Sequence, residues 1–387
     1  MVQNIYIRNL VLLAVLLAWT IDVFAAPEAK SENLNQIMAK IGNTMIVIYP
    51  LVVANRALSK KEIQVIDTAL FRLSDLFAAA KPFISQKSEG YQISYEFVSE
   101  YLQVVKSVLA KYHIDNARSY LYALGEICTT CHTQDTTLRT LFAGTTRNHF
   151  DTDFAYAEFN YMTRNYSEAV RYYEKFLNSP GEKTELEIIQ PLQRIITIYT
   201  QVNNKPADGL AKLKKYLHLK DHTMDTEIQL NNWIKGLKQL DASEHGNNRP
   251  STFDQLKIYT TQYLGNLDKL TIDINSSASQ EVQRVWLRGQ LYHYLNDKPK
   301  PDEIPKILYW LAVADRSIAY NFYFSMTDLY LKHCVLKYPK HPYAPRCYHE
   351  YREYVAYNYT RNGMPVPAGI KKEISEMQVK LGIEEDK

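Results

Sequence analysis

The chain has 387 residues, 46% hydrophobic and 22% charged, which is more than one core usually organises and too apolar for a disordered or collagen-like chain. Lys and Arg at 45 against Asp and Glu at 42 leave a net charge of +3, too small to call for nucleic acid or an anionic membrane as partner. Only 13 Gly and 15 Pro stand beside 30 Tyr, which argues against the dense turns of sandwiches and barrels and for an all-α protein.

At the amino terminus Arg8 precedes the unbroken apolar run Leu10 to Ala18, and Val23 and Ala25 supply the small residues of a cleavage site. A membrane anchor is the rival reading, and Asp22 argues against it by interrupting the apolar stretch before the roughly 18 residues that a membrane-spanning helix needs. The expectation is a signal peptide over residues 1–25, a mature chain from Ala26 and export to the periplasm, with no membrane span left after cleavage. Export would place Cys128, Cys131, Cys334 and Cys347 in oxidising surroundings.

Four helices are predicted next. The first runs from about Ser31 to Ala54, with Leu34, Ile37, Met38, Ile41, Met45, Ile48 and Val52 at helical spacing. The second opens at the capping box Ser59-Lys60-Lys61-Glu62 and continues through Ile66, Leu70, Leu73 and Phe77 to a stop at Pro82. The third spans about Tyr91 to Tyr112 with Phe97, Tyr101, Val104, Val105 and Val108 inward. The fourth begins near Asp115 and passes through Leu121, Leu124 and Ile127. Four helices of this length with short loops predict an antiparallel bundle.

The fourth helix leads into Cys128-Thr129-Thr130-Cys131-His132, the C-x-x-C-H pattern of covalent c-type haem attachment. At this composition chance places the pattern in about one chain in a thousand. On a helix two thiols at i and i+3 and an imidazole at i+4 share one face. Two thioethers can then fix the macrocycle while His132 binds iron from the proximal side. A redox dithiol would open a helix after a strand, whereas the preceding RSYLYALGEI is helical; a zinc site would need a second ligand pair nearby, and none stands within reach.

A bundle with C-x-x-C-H in its last helix resembles the class II c-type cytochromes, the cytochrome c prime family; class I cytochromes carry the motif near the amino terminus. The resemblance covers roughly residues 31–140, about a third of the chain. It implies one covalently attached haem c in a domain over residues 26–142, and a distal residue supplied by the first helix. Setting Met45-Ile46-Val47-Ile48-Tyr49-Pro50 against the end of the family's first helix puts Met38 at that position. If Met38 binds iron, the site is His132/Met38, six-coordinate and suited to electron transfer. If Met38 is ordinary core, the distal face is open, as in five-coordinate members of the family that bind nitric oxide or carbon monoxide. Met45 is a weaker candidate ligand, and His113 reads as exposed. The family's usual basic residue shortly after the motif is missing here, where Thr133-Gln134-Asp135 follows and Arg139 is the first base. Gly363-Met364-Pro365 superficially resembles the distal Met loop of class I cytochromes but lies far along the chain.

From about Asp151 the pattern changes to helix pairs rich in Tyr and Leu. In Phe154 to Pro180, residues Ala157, Tyr166, Ala169, Tyr173 and Phe176 match the small and aromatic positions of a tetratricopeptide unit. Later units, from Leu192 to Tyr357, are degenerate. The expectation is a tetratricopeptide-like α-solenoid over residues 150–365 and a helix or tail over 366–387. Such arrays bind proteins or peptides, here a redox partner or a periplasmic assembly, although the tyrosines read more readily as packing positions than as a recognition surface. Cys334 and Cys347, 13 positions apart around Tyr338-Pro339, are expected to form a disulfide; free thiols, or a metal site with His333 and His349, are the competing readings. His218 and His222 at i, i+4 read as a solvated face. Phosphate loops, G-x-S-x-G and a nucleophile–base pair are all missing, which argues against an enzyme other than a haem peroxidase. The functional expectation is therefore an exported monohaem cytochrome in electron transfer, with a gas-binding haem protein or a non-redox scaffold as alternatives. The resembled family also pairs as homodimers.

Overall fold

The computed structural model describes residues 33–54, 56–111, 113–132, 145–219, 223–243, 246, 248–269, 278–297, 299–318 and 325–383, without the side chains of 125–132, 219, 278 and 362. Among the described residues there are fifteen α-helices and no strand. The signal-peptide region and Arg139 lie outside the described residues.

The first four helices are α1 (Leu34–Val52), α2 (Lys60–Ile84), α3 (Glu89–Ala110) and α4 (Ile114–His132). Helix α1 opens at Asn33, whose side chain accepts from the Gln36 amide at 3.0 Å while the Gln36 side chain accepts from the Asn33 amide at 3.0 Å. At the start of α2 the Ser59 amide donates to Glu62 Oε2 at 2.7 Å and the Glu62 amide to Ser59 Oγ at 3.3 Å. The expected stop at Pro82 does not occur: α2 continues to Ile84. Pro82 lies in the last turn, where its missing N–H removes one ladder bond, and the Ser85 amide still reaches Lys81 O at 3.1 Å.

Short connections make successive helices run in opposite directions, and α1 also packs against α4. Ile48, Leu70, Leu73, Val105 and Leu121 are fully enclosed between them. Burying one such side chain contributes roughly 1.5–3 kcal/mol, so this seam carries the stability of the amino-terminal helices.

Helix α5 (Asp153–Met162) is a shared wall. Ala155, Tyr156, Phe159 and Met162 join the apolar cluster of α1–α4, while Ala157 and Tyr161 join a second, larger cluster. That second cluster is built by α6 (Tyr166–Asn178), α7 (Glu185–Thr197), α8 (Pro206–Leu219), α9 (Met224–Asp241), α10 (Phe253–Leu264), α11 (Ala278–Asn296), α12 (Ile304–Arg316), α13 (Thr327–Lys337), α14 (Ala344–Asn358) and α15 (Ala368–Leu381). Helices α5 and α6 pair through Ala157, Ala169 and Tyr173, all fully buried.

Helix α11 lies at the centre of these helices. It packs on α9, α10, α12 and the π turn Ile198–Val202, and reaches back to α3. Gly289 permits the approach of that turn, since a Cβ there would lie 2.6 Å from Gln201 Cγ and 3.1 Å from its Cα. Towards α3, Ser88 Oγ donates to Asn296 Oδ1 at 2.6 Å, Ser94 and Tyr292 share a hydrogen bond of 2.9 Å, and the Tyr292 hydroxyl reaches Gly90 O at 3.2 Å. No described helix is long and apolar enough to cross a membrane.

Candidate functional site

Helix α4 runs unbroken to His132, so Cys128, Cys131 and His132 share one helix. Its buried positions Ala117, Leu121 and Leu124 step by four and then three residues. The same alternation continues at Cys128 and Cys131, which therefore occupy the register of the inward stripe, and His132 is the next position along. Their side chains lie outside the described residues.

Facing this stripe, α1 presents Ile41, Met45, Ile48 and Val52 as buried positions. Met38, three residues before Ile41, continues their heptad and is half-buried against the same cluster. Arg118, near the start of α4, fixes the register between the two helices. Its guanidinium donates to Val52 O at 3.4 Å, to Arg56 O at 3.1 Å and to Ala54 O, satisfying one carbonyl at the end of α1 and two of the connection that follows. Met38 lies as many residues before Val52 as His132 lies after Arg118, so antiparallel helices bring the two to a common level. The backbone thus sets Cys128 and Cys131 in the inward register of α4, with His132 beside Cys131 and Met38 on the facing helix at the same level; these are the residue types that covalent haem with His/Met ligation would use. Met45 is more deeply buried than Met38, at 5% exposure, and sits nearly two turns further from the motif end. His113 is exposed before α4.

Helix α4 is also tied to the helices that follow. The Tyr122 hydroxyl donates to Glu158 Oε2 on α5 and accepts from Gln190 Nε2 on α7. Glu158 is 1% exposed; its other oxygen accepts from Tyr173 and from Arg194 Nε at 3.4 Å. Burial, reinforced by the Glu158 charge, holds the Tyr173 hydroxyl well above its ordinary pKa. No sequence signal marks this network, because Glu158 lies among positions spaced like ordinary repeat packing.

Cys334 and Cys347 are joined as a disulfide between α13 and α14, with Cα atoms 6.3 Å apart. His349 is exposed, and His333 points instead at two carboxylates of α3, Glu89 and Glu96. Both sulfurs and both His333 nitrogens are thus engaged, and the described residues contain no group of three metal-ligating side chains. Met364 is half-exposed in the loop before α15 and lies on the carboxyl-terminal helices. His218 is exposed, and His222 lies outside the described residues.

No family model, curated protein or solved structure matches the chain.

Proposed function

We propose that the protein is an exported monohaem c-type cytochrome that carries one electron, built as a four-helix haem bundle beside tetratricopeptide-like helices that dock a protein redox partner. What supports this reading is the four-and-three spacing of Ala117, Leu121 and Leu124, which continues at Cys128 and Cys131 of α4, with His132 directly after Cys131 and level with Met38 of α1. Cys128 and Cys131 would hold the group covalently, His132 would be the proximal ligand and Met38 the distal one. Bound haem supplies an iron that changes oxidation state by one electron.

The chain's own residues set the conditions for that exchange. Ile41, Ile48, Leu121 and Leu124 line a water-poor interior, which favours the less charged, reduced state. Arg118 and Tyr122 hold α4 in place on its two sides, limiting the rearrangement that accompanies electron transfer. The Cys334–Cys347 disulfide supports export to an oxidising compartment.

Optical spectra test the reading on protein exported by a host with c-type haem maturation. Sharp reduced bands unchanged by carbon monoxide are expected. Broad high-spin bands that shift with carbon monoxide would replace electron transfer with the gas-binding function.

A further inference from the structure

His333 lies on α13, 3% exposed, against α3 of the amino-terminal helices. Its Nδ1 is 3.0 Å from Glu89 Oε1 and its Nε2 is 2.5 Å from Glu96 Oε2. Carboxylates only accept, so both ring nitrogens must donate, and only the imidazolium can do so. Neutral histidine would leave one carboxylate facing a bare nitrogen lone pair. We propose that His333 is a pH-sensitive latch that, while doubly protonated, clamps the carboxyl-terminal helices onto α3, and that releases this edge of the contact when its proton passes to water.

The surrounding charges support this assignment. From α13, Lys337 Nζ lies 3.0 Å from Glu89 Oε1 and donates to Gln92 Oε1 at 3.0 Å. The Tyr338 hydroxyl donates to Glu89 Oε2 at 3.4 Å. Lys332 stands 3.8 Å from Glu100 of α3 and 3.4 Å from Glu373 of α15. Burial alone would depress the His333 pKa, but the hydrogen bonds it donates to Glu89 and Glu96 outweigh it and hold the value above the ordinary 6.5. Burial likewise opposes the ionisation of Glu89 and Glu96, yet the bonds to His333 keep both below the ordinary 4.5.

The sign follows from linkage. The stability His333 adds is fully present below about pH 6.5 and is lost as pH rises through its folded-state value. The contribution of the carboxylates is present above 4.5 and is lost as pH falls through their depressed values. The clamp is therefore strongest between the two limits. Helix α3 runs antiparallel to α4, so Glu89 and Glu96 lie at the end where α4 reaches Cys128 and His132. On the haem reading, alkaline pH would loosen the surroundings of the haem end; the latch itself needs no haem.

The test is hydrogen exchange of the mature full chain between pH 5.5 and 9.5, corrected for intrinsic rates, with the His333 ring followed by carbon-13 labelling. Segments 89–96 and 327–337 should lose protection at least about tenfold as His333 deprotonates above pH 6.5. In Glu96→Gln, which changes a half-exposed side chain, the step should move to lower pH; in His333→Gln it should vanish. Cys128→Ala/Cys131→Ala should keep the step, which separates this proposal from the haem assignment. A His333 ring that titrates at or below 6.5, protection that does not change with pH, or an unmoved step in Glu96→Gln would overturn it.

Discussion

Tyr122 on α4 donates its hydroxyl hydrogen to Glu158 on α5, joining the helix that carries C-x-x-C-H to the first helix of the carboxyl-terminal half. A carboxylate at 1% exposure survives only with charge and hydrogen-bond partners, and here Tyr122, Tyr173 and Arg194 supply them.

Replacing Glu158 by Ala removes the carboxylate from beside Arg194 and an acceptor from two tyrosines. The expected loss is about 3–5 kcal/mol in denaturant unfolding. Glu158→Gln keeps an acceptor and should lose distinctly less. Equal losses in the two variants would show that the hydrogen bonds accepted at this position contribute nothing.

Glycines give a sharper contrast. Both Gly236 in α9 and Gly369 in α15 are helical, so Ala gains about 0.5–1 kcal/mol of propensity at either. At Gly236 the new Cβ would lie 2.5 Å from the Ser279 backbone oxygen and 3.1 Å from Val282 Cβ, whereas at Gly369 nothing lies within 4 Å. Gly369→Ala should therefore raise the unfolding free energy, and Gly236→Ala should lower it by about 1–3 kcal/mol through overpacking. Two rises would mean that α9 and α11 can separate freely.

The two methionines of α1 are expected to behave differently. Met38→Ala should let carbon monoxide alter the reduced spectrum while costing little stability, because the side chain is half-buried. Met45→Ala, at a position 5% exposed, should cost about 2–5 kcal/mol and leave the reduced spectrum insensitive to carbon monoxide. The reverse pattern would make Met45 the distal residue.

Local chemistry was legible in the sequence where partners are close along the chain. Ser59 and Glu62, three residues apart, announce the start of α2, and the spacing of Leu121 and Leu124 leads directly to the Cys128–Cys131 stripe. Pro82 misled because its position in the last turn, rather than its presence, decides whether a helix stops. The His333 latch and the α3–α11 contact were illegible for a different reason. Glu89 and Glu96 lie 244 and 237 residues from His333, and no periodicity links positions so far apart. Glu158 was hidden similarly, since a charged residue inside an apolar repeat reads as exposed until its neighbours are known.

Covalent attachment is the central claim, and extraction of the exported, purified protein with acidified organic solvent tests it most directly, with visible absorption followed in both phases. Haem held by Cys128 and Cys131 should remain with the protein and be lost in Cys128→Ala/Cys131→Ala, one haem per chain. A protein isolated from such a host without haem, or one whose haem passes entirely into the solvent, would contradict the account.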